Sequence, residues 1–149
     1  KISLCAVEQR LNDKVFNMKQ IEKYAREEAE NGADMCVFGE SFLQGFECLS
    51  FVYKDDVGVP VTQNSNEIAE IRRIARENEV AISFGYIEND HGAFYSSQMT
   101  VTKRGEILNK LQENECWLEG AFCLQRLQGR RQAVFIQDGW REFFNVDLR

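Results

Sequence analysis

A glutamate that follows a short apolar run is the residue of this chain best placed to do chemistry. Glu40 comes two residues after the run Met35 to Phe38, whose length and composition are typical of a buried strand. Ligand sites of open α/β sheets form at the carboxyl ends of their strands, so this position favours a functional carboxylate. An ordinary ion pair, or a cap for the following turn, is the alternative that position alone leaves open.

The cysteines and the only histidine do not form a metal-binding or disulfide pattern. The cysteines are Cys5, Cys36, Cys48, Cys116 and Cys123. Their number is odd and none is in a Cys-x-x-Cys spacing, so neither a disulfide framework nor a zinc site is indicated. Cys5 and Cys36 lie in apolar runs and are predicted to be buried thiols, and His91 lies in a polar run that predicts a solvated turn. We therefore expect no metal and no cofactor.

The elements that would position Glu40 begin with a strand, a helix and a second strand. The apolar run Ile2 to Val7 predicts a buried strand, and Asp13 can cap the helix that follows it. Apolar residues then recur at helical spacing at Met18, Ile21, Ala25 and Ala29. Asn31-Gly32 ends this helix before the strand that precedes Glu40, which makes a βαβ unit with parallel strands.

A second unit and a hairpin continue the pattern. Ser65 or Asn66 begins a helix that closes at Asn78, and Val80 to Ile87 reads as a third strand. The apolar face of this helix carries Ile68, Ile71, Ile74 and Ala75. Phe94 to Thr102 then alternates with a period of two, and a turn leads back into Ile107-Leu108 as a hairpin. Two βα units and a hairpin predict an α/β fold.

Composition and charge exclude several classes of function. The 149 residues carry a net charge of −6, which offers no basic stripe for nucleic acid. No apolar run approaches the roughly 18 residues needed to cross a bilayer. We expect a protein of about one domain, located in the cytoplasm, that binds neither nucleic acid nor a membrane.

The segment around Glu40 resembles a family signature. Gly32-Ala33-Asp34 closes the helix, the strand follows, and Glu40 precedes Ser41-Phe42 and then Gly45-Phe46. This order is similar to the first signature of the nitrilase superfamily, the carbon-nitrogen hydrolases, which usually have proline where this chain has Gly39. The third strand and the hairpin also resemble the family, and the resemblance covers about residues 2 to 110. It implies a nitrilase-like four-layer α-β-β-α sandwich, of which this chain holds the N-terminal part.

The resemblance implies a Glu-Lys-Cys triad in which Glu40 matches the general base. The family's lysine would fall just past Lys110, which is predicted to be a solvated lysine at a strand end. Cys116 and Cys123 precede the expected position of the nucleophile, and Cys48 is an outside candidate. Neither a nucleophile nor a catalytic lysine is therefore assigned.

The chain changes character after Lys110. Residues 1–110 read as a partial carbon-nitrogen hydrolase domain, whereas residues 111–149 contain no Ser, Thr, Tyr, Lys, Pro, Met or His. One shift of the reading frame near Lys110 would account both for this composition and for the missing lysine and cysteine. We therefore hypothesise that residues 111–149 are read in a shifted frame.

Three functional readings follow from these observations. The first is a hydrolase of nitriles, amides or carbamoyl compounds, which by resemblance would form a homodimer and of which this chain carries the glutamate; the chain alone is expected to be inactive. The second is a truncated, non-catalytic remnant or interaction module with the same fold. The third is a flavodoxin-like ligand or signalling domain, which would need either clustered acids at several strand ends or a glycine-rich phosphate loop; the sequence shows neither. In the first reading, Phe42, Phe46 and the loop Leu49 to Thr62 would shape part of the pocket.

Overall fold

A five-stranded mixed sheet is the centre of the structure, a computed structural model that describes residues 1–112. The strands are β1 (Ile2–Cys5), β2 (Met35–Phe38), β3 (Ala81–Asp90), β4 (Ala93–Val101) and β5 (Ile107–Gln112). They lie side by side in chain order, with β1, β2 and β3 parallel and β4 and β5 antiparallel to their neighbours. The two parallel connections pass through helices, as parallel pairing requires.

Within residues 1–112, three helices accompany the sheet: α1 (Lys14–Glu30), α2 (Tyr53–Asp56) and α3 (Asn66–Glu77). Both long helices begin at side-chain caps. Asp13 accepts a hydrogen bond from the backbone N–H of Phe16 at 2.9 Å, and Ser65 does the same for Ile68 at 3.4 Å. Gly32 follows the end of α1 with φ of +78°, a conformation that glycine adopts without steric cost.

The two long helices cover one face of the sheet. Strands connected in this order through right-handed crossovers place both helices on the same side. On that side α1 contributes Ile21 and Ala25 to a core that also contains Phe84 of β3. The predicted apolar face of α3 is fully buried in the same core: Ile68, Ile71, Ile74 and Ala75. The α/β class predicted from the sequence is therefore confirmed.

The opposite face of the sheet is partly open in the described part of the chain. Side chains alternate along a strand, so Ile2 and Leu4 point away from the face that carries Cys5. Ile2 is 50% exposed and Leu4 is 79% exposed, whereas Cys5 is buried. At β1 this face therefore carries apolar side chains that the rest of residues 1–112 does not cover.

The sequence predicted the elements more accurately than their lengths. β1 ends at Cys5, where its last register partner is Phe38, rather than at Val7. β3 continues three residues beyond Ile87, because nine of its residues pair with β4. The turn at His91 is confirmed: His91 and Gly92 connect the two strands with φ of +53° and +88°, as a two-residue hairpin loop of the favoured hand requires. The short helix α2, in the loop before α3, was not predicted.

No helix among residues 1–112 is both long enough and apolar enough to span a membrane.

Candidate active site

Glu40 lies just beyond the carboxyl end of β2, where the chain turns away from the sheet. Its side chain is exposed, in contrast to the buried Phe38 at the end of the strand. The next residue, Ser41, is buried and has φ of +48°, a left-handed conformation that costs energy in a residue other than glycine. The surrounding structure must therefore hold this turn in place.

Gly85 of β3 provides the first of these constraints, because the turn passes directly over it. The N–H of Gly85 donates to the carbonyl of Gly39 at 3.1 Å, and the N–H of Leu43 donates to the carbonyl of Gly85 at 3.1 Å. A Cβ atom at position 85 would lie 2.4 Å from the nitrogen of Ser41 and 2.6 Å from Cα of Glu40. Only glycine allows the two backbones to approach this closely.

Gln44 provides the second constraint from inside the protein. Its side chain is fully buried, and its amide makes two hydrogen bonds to the backbone of Ile87. Nε2 donates to the Ile87 carbonyl at 2.9 Å, and Oε1 accepts from the Ile87 N–H at 3.0 Å. The side chain thus pairs with β3 beyond the end of β2 and anchors the end of the turn that begins at Glu40.

One hydrogen bond links the Glu40 carboxylate to β4. The hydroxyl of Ser96 donates to Oε1 of Glu40 at 3.2 Å. Among residues 1–112, no lysine or arginine forms an ion pair with Glu40. The carboxylate faces a cleft of about 260 Å³ lined by Glu40, Ser96, Ser97, Gln98 and Leu111.

A second carboxylate, that of Glu88 in β3, is buried on the opposite face of the sheet from Ser96. Glu88 is 1% exposed and accepts hydrogen bonds from three side chains. Lys110 Nζ contacts Oε1 at 2.8 Å, while the Ser97 hydroxyl and Gln112 Nε2 contact Oε2 at 2.8 and 2.9 Å. Burial and the nearby charge of Glu88 raise the pKa of Tyr86, which keeps that buried hydroxyl neutral.

This cluster corrects the prediction for Lys110. The lysine was expected to be solvated at a strand end, but its side chain is only 22% exposed and is paired with Glu88. The register of strands β3, β4 and β5 brings the two together. Lys110 of β5 lies opposite Met99 of β4, Glu88 of β3 lies opposite Tyr95 of β4, and both pairs are on the same face of the sheet. Within residues 1–112, therefore, the structure pairs Lys110 with Glu88 and not with Glu40.

The described cysteines are buried thiols. Cys5 and Cys36 are 8% and 0% exposed, as the sequence predicted, and burial raises the pKa of both, that of Cys36 to about 12. Cys48, the outside candidate for a nucleophile, is also buried, which raises its pKa to about 11. A nucleophilic cysteine has to lose its proton readily, which a raised pKa disfavours, so these surroundings oppose that role. Cys116 and Cys123 lie outside the described residues.

The walls around Glu40 differ from those expected from the sequence. Phe42 is buried against Phe38 and lines a separate, larger hollow with Leu4 and Val37, and Phe46 is 59% exposed. Residues of β4 and β5 line the Glu40 cleft instead. Ser96, Gly85 and Gln44 were missed; only Gly85 carried a signal, because an isolated glycine within a strand indicates a close backbone approach.

The described residues hold no group of three His, Cys, Asp or Glu side chains that could bind a metal ion. The chemistry that this part of the chain offers is that of a carboxylate beside a cleft.

The protein has a mixed sheet with a carboxylate at the end of its second strand. It therefore belongs to the class of α/β proteins whose sites form at strand ends. The chain is a member of the carbon-nitrogen hydrolase family, whose family model matches residues 1–136.

Curated relatives agree with this assignment. A cyanide hydratase from Leptosphaeria maculans is 26% identical over 95 residues, which are 58% of this chain and 27% of that protein. An arylacetonitrilase from Aspergillus kawachii is 33% identical over 89 residues, which are 55% of this chain and 27% of that protein. The chain thus spans about a quarter of the length of the curated relatives that it matches.

Solved structures show the same fold. An amidase from Nesterenkonia sp. matches with a TM-score of 0.66 at 21% identity, covering 80% of this chain and 44% of that one. A mutant of the Nesterenkonia AN1 amidase, described as a nitrilase-superfamily protein, matches at 22% identity with the same TM-score and coverage. The predicted likeness to the N-terminal part of the nitrilase fold is therefore confirmed.

Proposed function

We propose that this chain carries the general base of a hydrolase that cleaves carbon-nitrogen bonds, and that Glu40 is that base. The observation that carries the proposal is the position of Glu40: its carboxylate lies at the carboxyl end of β2 beside a cleft, with a hydroxyl donor and no cation paired to it among residues 1–112. An ionised carboxylate without a cationic partner is free to accept a proton.

The chemistry assigns Glu40 a series of proton transfers. A cysteine thiol with an ordinary pKa of about 8.5 is mostly protonated at neutral pH, so Glu40 removes its proton as the sulfur attacks the nitrile or amide carbon. With an amide, Glu40 passes that proton to the nitrogen, which leaves as ammonia, and the acyl thioester remains; with a nitrile, water first adds to the thioimidate carbon before ammonia leaves. Glu40, ionised again, then takes a proton from the water that hydrolyses the acyl thioester, and this proton returns to the sulfur that leaves. A lysine would stabilise the negative charge of the tetrahedral intermediate. Neither the thiol nor this lysine is assigned to a residue of the chain.

The proposed substrates are small nitriles, amides or carbamoyl compounds. The names of the relatives, cyanide hydratase and arylacetonitrilase, support this class, as does an amidase of the same fold. The homodimer expected from the family resemblance stays a prediction.

A second candidate, a non-catalytic remnant or interaction module, is favoured by one observation. In residues 1–112 the lysine nearest the expected catalytic position is paired with Glu88, and all three cysteines are buried with raised pKa values. This part of the chain therefore supplies a base without a nucleophile.

Alkylation of the protein expressed from the complete gene with iodoacetamide at pH 7 separates the two candidates. If Glu40 activates a thiol, one cysteine other than Cys5, Cys36 and Cys48 is expected to react fastest, and Glu40→Gln is expected to slow its alkylation by about tenfold or more. The rate at each cysteine is measured by peptide mass spectrometry, and Glu47→Gln, a change at an exposed glutamate nearby, serves as the matched control. Equal rates in the wild type and Glu40→Gln would count against the base and favour the remnant.

We further propose that residues 111–149 are read in a shifted frame. Sequencing the gene across the codons for Lys110 and Leu111 tests this proposal. A restored frame that continues as a hydrolase and supplies a lysine and a cysteine would support it, and an intact frame without such a continuation would refute it.

A further inference from the structure

We infer that Ser96 is a positioning residue for Glu40: its hydroxyl holds one oxygen of the carboxylate and leaves the other to receive the proton. This inference rests on the proposed function, in which the Glu40 carboxylate takes a proton from a thiol. The Ser96 hydroxyl donates to Oε1, so the proton that leaves the sulfur passes to Oε2.

The two partners of this hydrogen bond differ in exposure and in freedom of movement. Glu40 is exposed and its side chain has three rotatable bonds, whereas Ser96 is 4% exposed and sits in the middle of β4. Nine residue pairs join β4 to β3, and Ser96 lies opposite Ile87 in that ladder. A fixed hydroxyl therefore restrains a side chain that would otherwise sample several orientations.

The same backbone contacts hold both Glu40 and Ser96 in place. Ile87, the strand partner of Ser96, is also the residue whose backbone is held by the buried amide of Gln44. Gln44 closes the turn that begins at Glu40, so the hydroxyl and the carboxylate are set by one group of contacts. A group positioned this way keeps the base in a single orientation, on which proton transfer depends.

The neighbouring serine shows that this arrangement is specific to position 96. Successive residues of a strand point to opposite faces, so Ser97 points to the other face of β4 and donates to the buried Glu88. Glu88 is enclosed and paired with Lys110, whereas Glu40 faces the cleft. Of these two serines, therefore, Ser96 is the one whose hydrogen bond reaches a carboxylate that faces a cleft.

The test compares Ser96→Thr with Ser96→Val. Threonine and valine have nearly the same shape, and each has one more heavy atom than serine. Only Ser96→Thr keeps the hydroxyl, because valine has a methyl group in its place. The first readout is the 13C resonance of the Glu40 carboxylate in the uniformly labelled chain, assigned by its loss in Glu40→Gln. We expect this resonance to stay at its wild-type position in Ser96→Thr and to move in Ser96→Val.

The second readout is hydrolysis by the protein expressed from the complete gene, because the chain alone is expected to be inactive. We expect Ser96→Val to lower kcat by about tenfold relative to Ser96→Thr with KM unchanged, as the loss of a hydrogen bond to a charged group would produce. Should the extra methyl prevent folding, Ser96→Ala, which needs no additional space, has to show the same moved resonance and lowered kcat.

Coincident carboxylate resonances and equal kcat values in Ser96→Thr and Ser96→Val would overturn the inference. The proposed function fails in a different way, through an unchanged hydrolysis rate in Glu40→Gln. The two failures are therefore distinguishable.

Discussion

Gly85→Ala is expected to destabilise the protein by about 3 kcal/mol, at the upper end of the usual cost of overpacking. The new Cβ would lie 2.4 Å from the nitrogen of Ser41 and 2.7 Å from the carbonyl oxygen of Gly39. Both atoms belong to the backbone, so no side-chain rotation relieves the contact. The turn has to move away from β3, which breaks the two hydrogen bonds that Gly85 makes to it.

Urea unfolding measures this effect, with Gly58→Ala as the matched control. A Cβ at Gly58 would meet no atom within 4 Å, so the same substitution there is expected to change stability little. The moved turn also carries Glu40, and the cleft should lose its carboxylate in the folded fraction. A free energy of unfolding for Gly85→Ala within 0.5 kcal/mol of the Gly58→Ala value (roughly the spread of surface substitutions) would show that the turn does not lie against β3 as described.

Lys110→Met is expected to lower the free energy of unfolding by about 3 to 5 kcal/mol, the largest effect expected on the face of the sheet that carries Glu88. The substitution leaves the carboxylate of Glu88, which is 1% exposed, without its cationic partner. Two hydrogen bonds to Glu88, from Ser97 and Gln112, remain, but they do not neutralise its charge. The cost therefore arises from a buried charge left unpaired.

A double variant separates the charge from the loss of packing. In Lys110→Met combined with Glu88→Gln the buried charge is gone, so most of the lost stability is expected to return. Lys19→Met, at an exposed position of α1, controls for the exchange of lysine for methionine. If Lys110→Met unfolded at the same urea concentration as Lys19→Met, the ion pair would not contribute to the folded state.

The sequence was sufficient to predict the elements because their patterns are local. The apolar residues of α3 recur at helical spacing, and Asp13 and Ser65 both precede helices as caps. The alternation in β4 and the turn before Ile107 likewise predicted the hairpin of β4 and β5. Each of these signals depends on residues within about ten positions of one another, which a single sequence displays directly.

The contacts that hold the site were not predictable in this way, because they join distant positions. Ser96 is 56 residues from Glu40, Gln44 is 43 residues from Ile87, and Lys110 is 22 residues from Glu88. Which residues meet depends on the strand register, and a shift of one residue would exchange the faces of Ser96 and Ser97. The position of Glu40 at a strand end was foreseen, whereas its role as a base stays a prediction.

Hydrolysis by the protein expressed from the complete gene shows most directly whether Glu40 is the general base, since the chain spans about a quarter of the length of the curated relatives that it matches. Release of ammonia from a set of nitriles and amides is measured for the wild type, Glu40→Gln and the control Glu47→Gln. We expect activity in the wild type and in Glu47→Gln, and a loss of about a hundredfold or more in Glu40→Gln with its folding unchanged. Wild-type rates in Glu40→Gln would contradict the assignment of Glu40 as the general base.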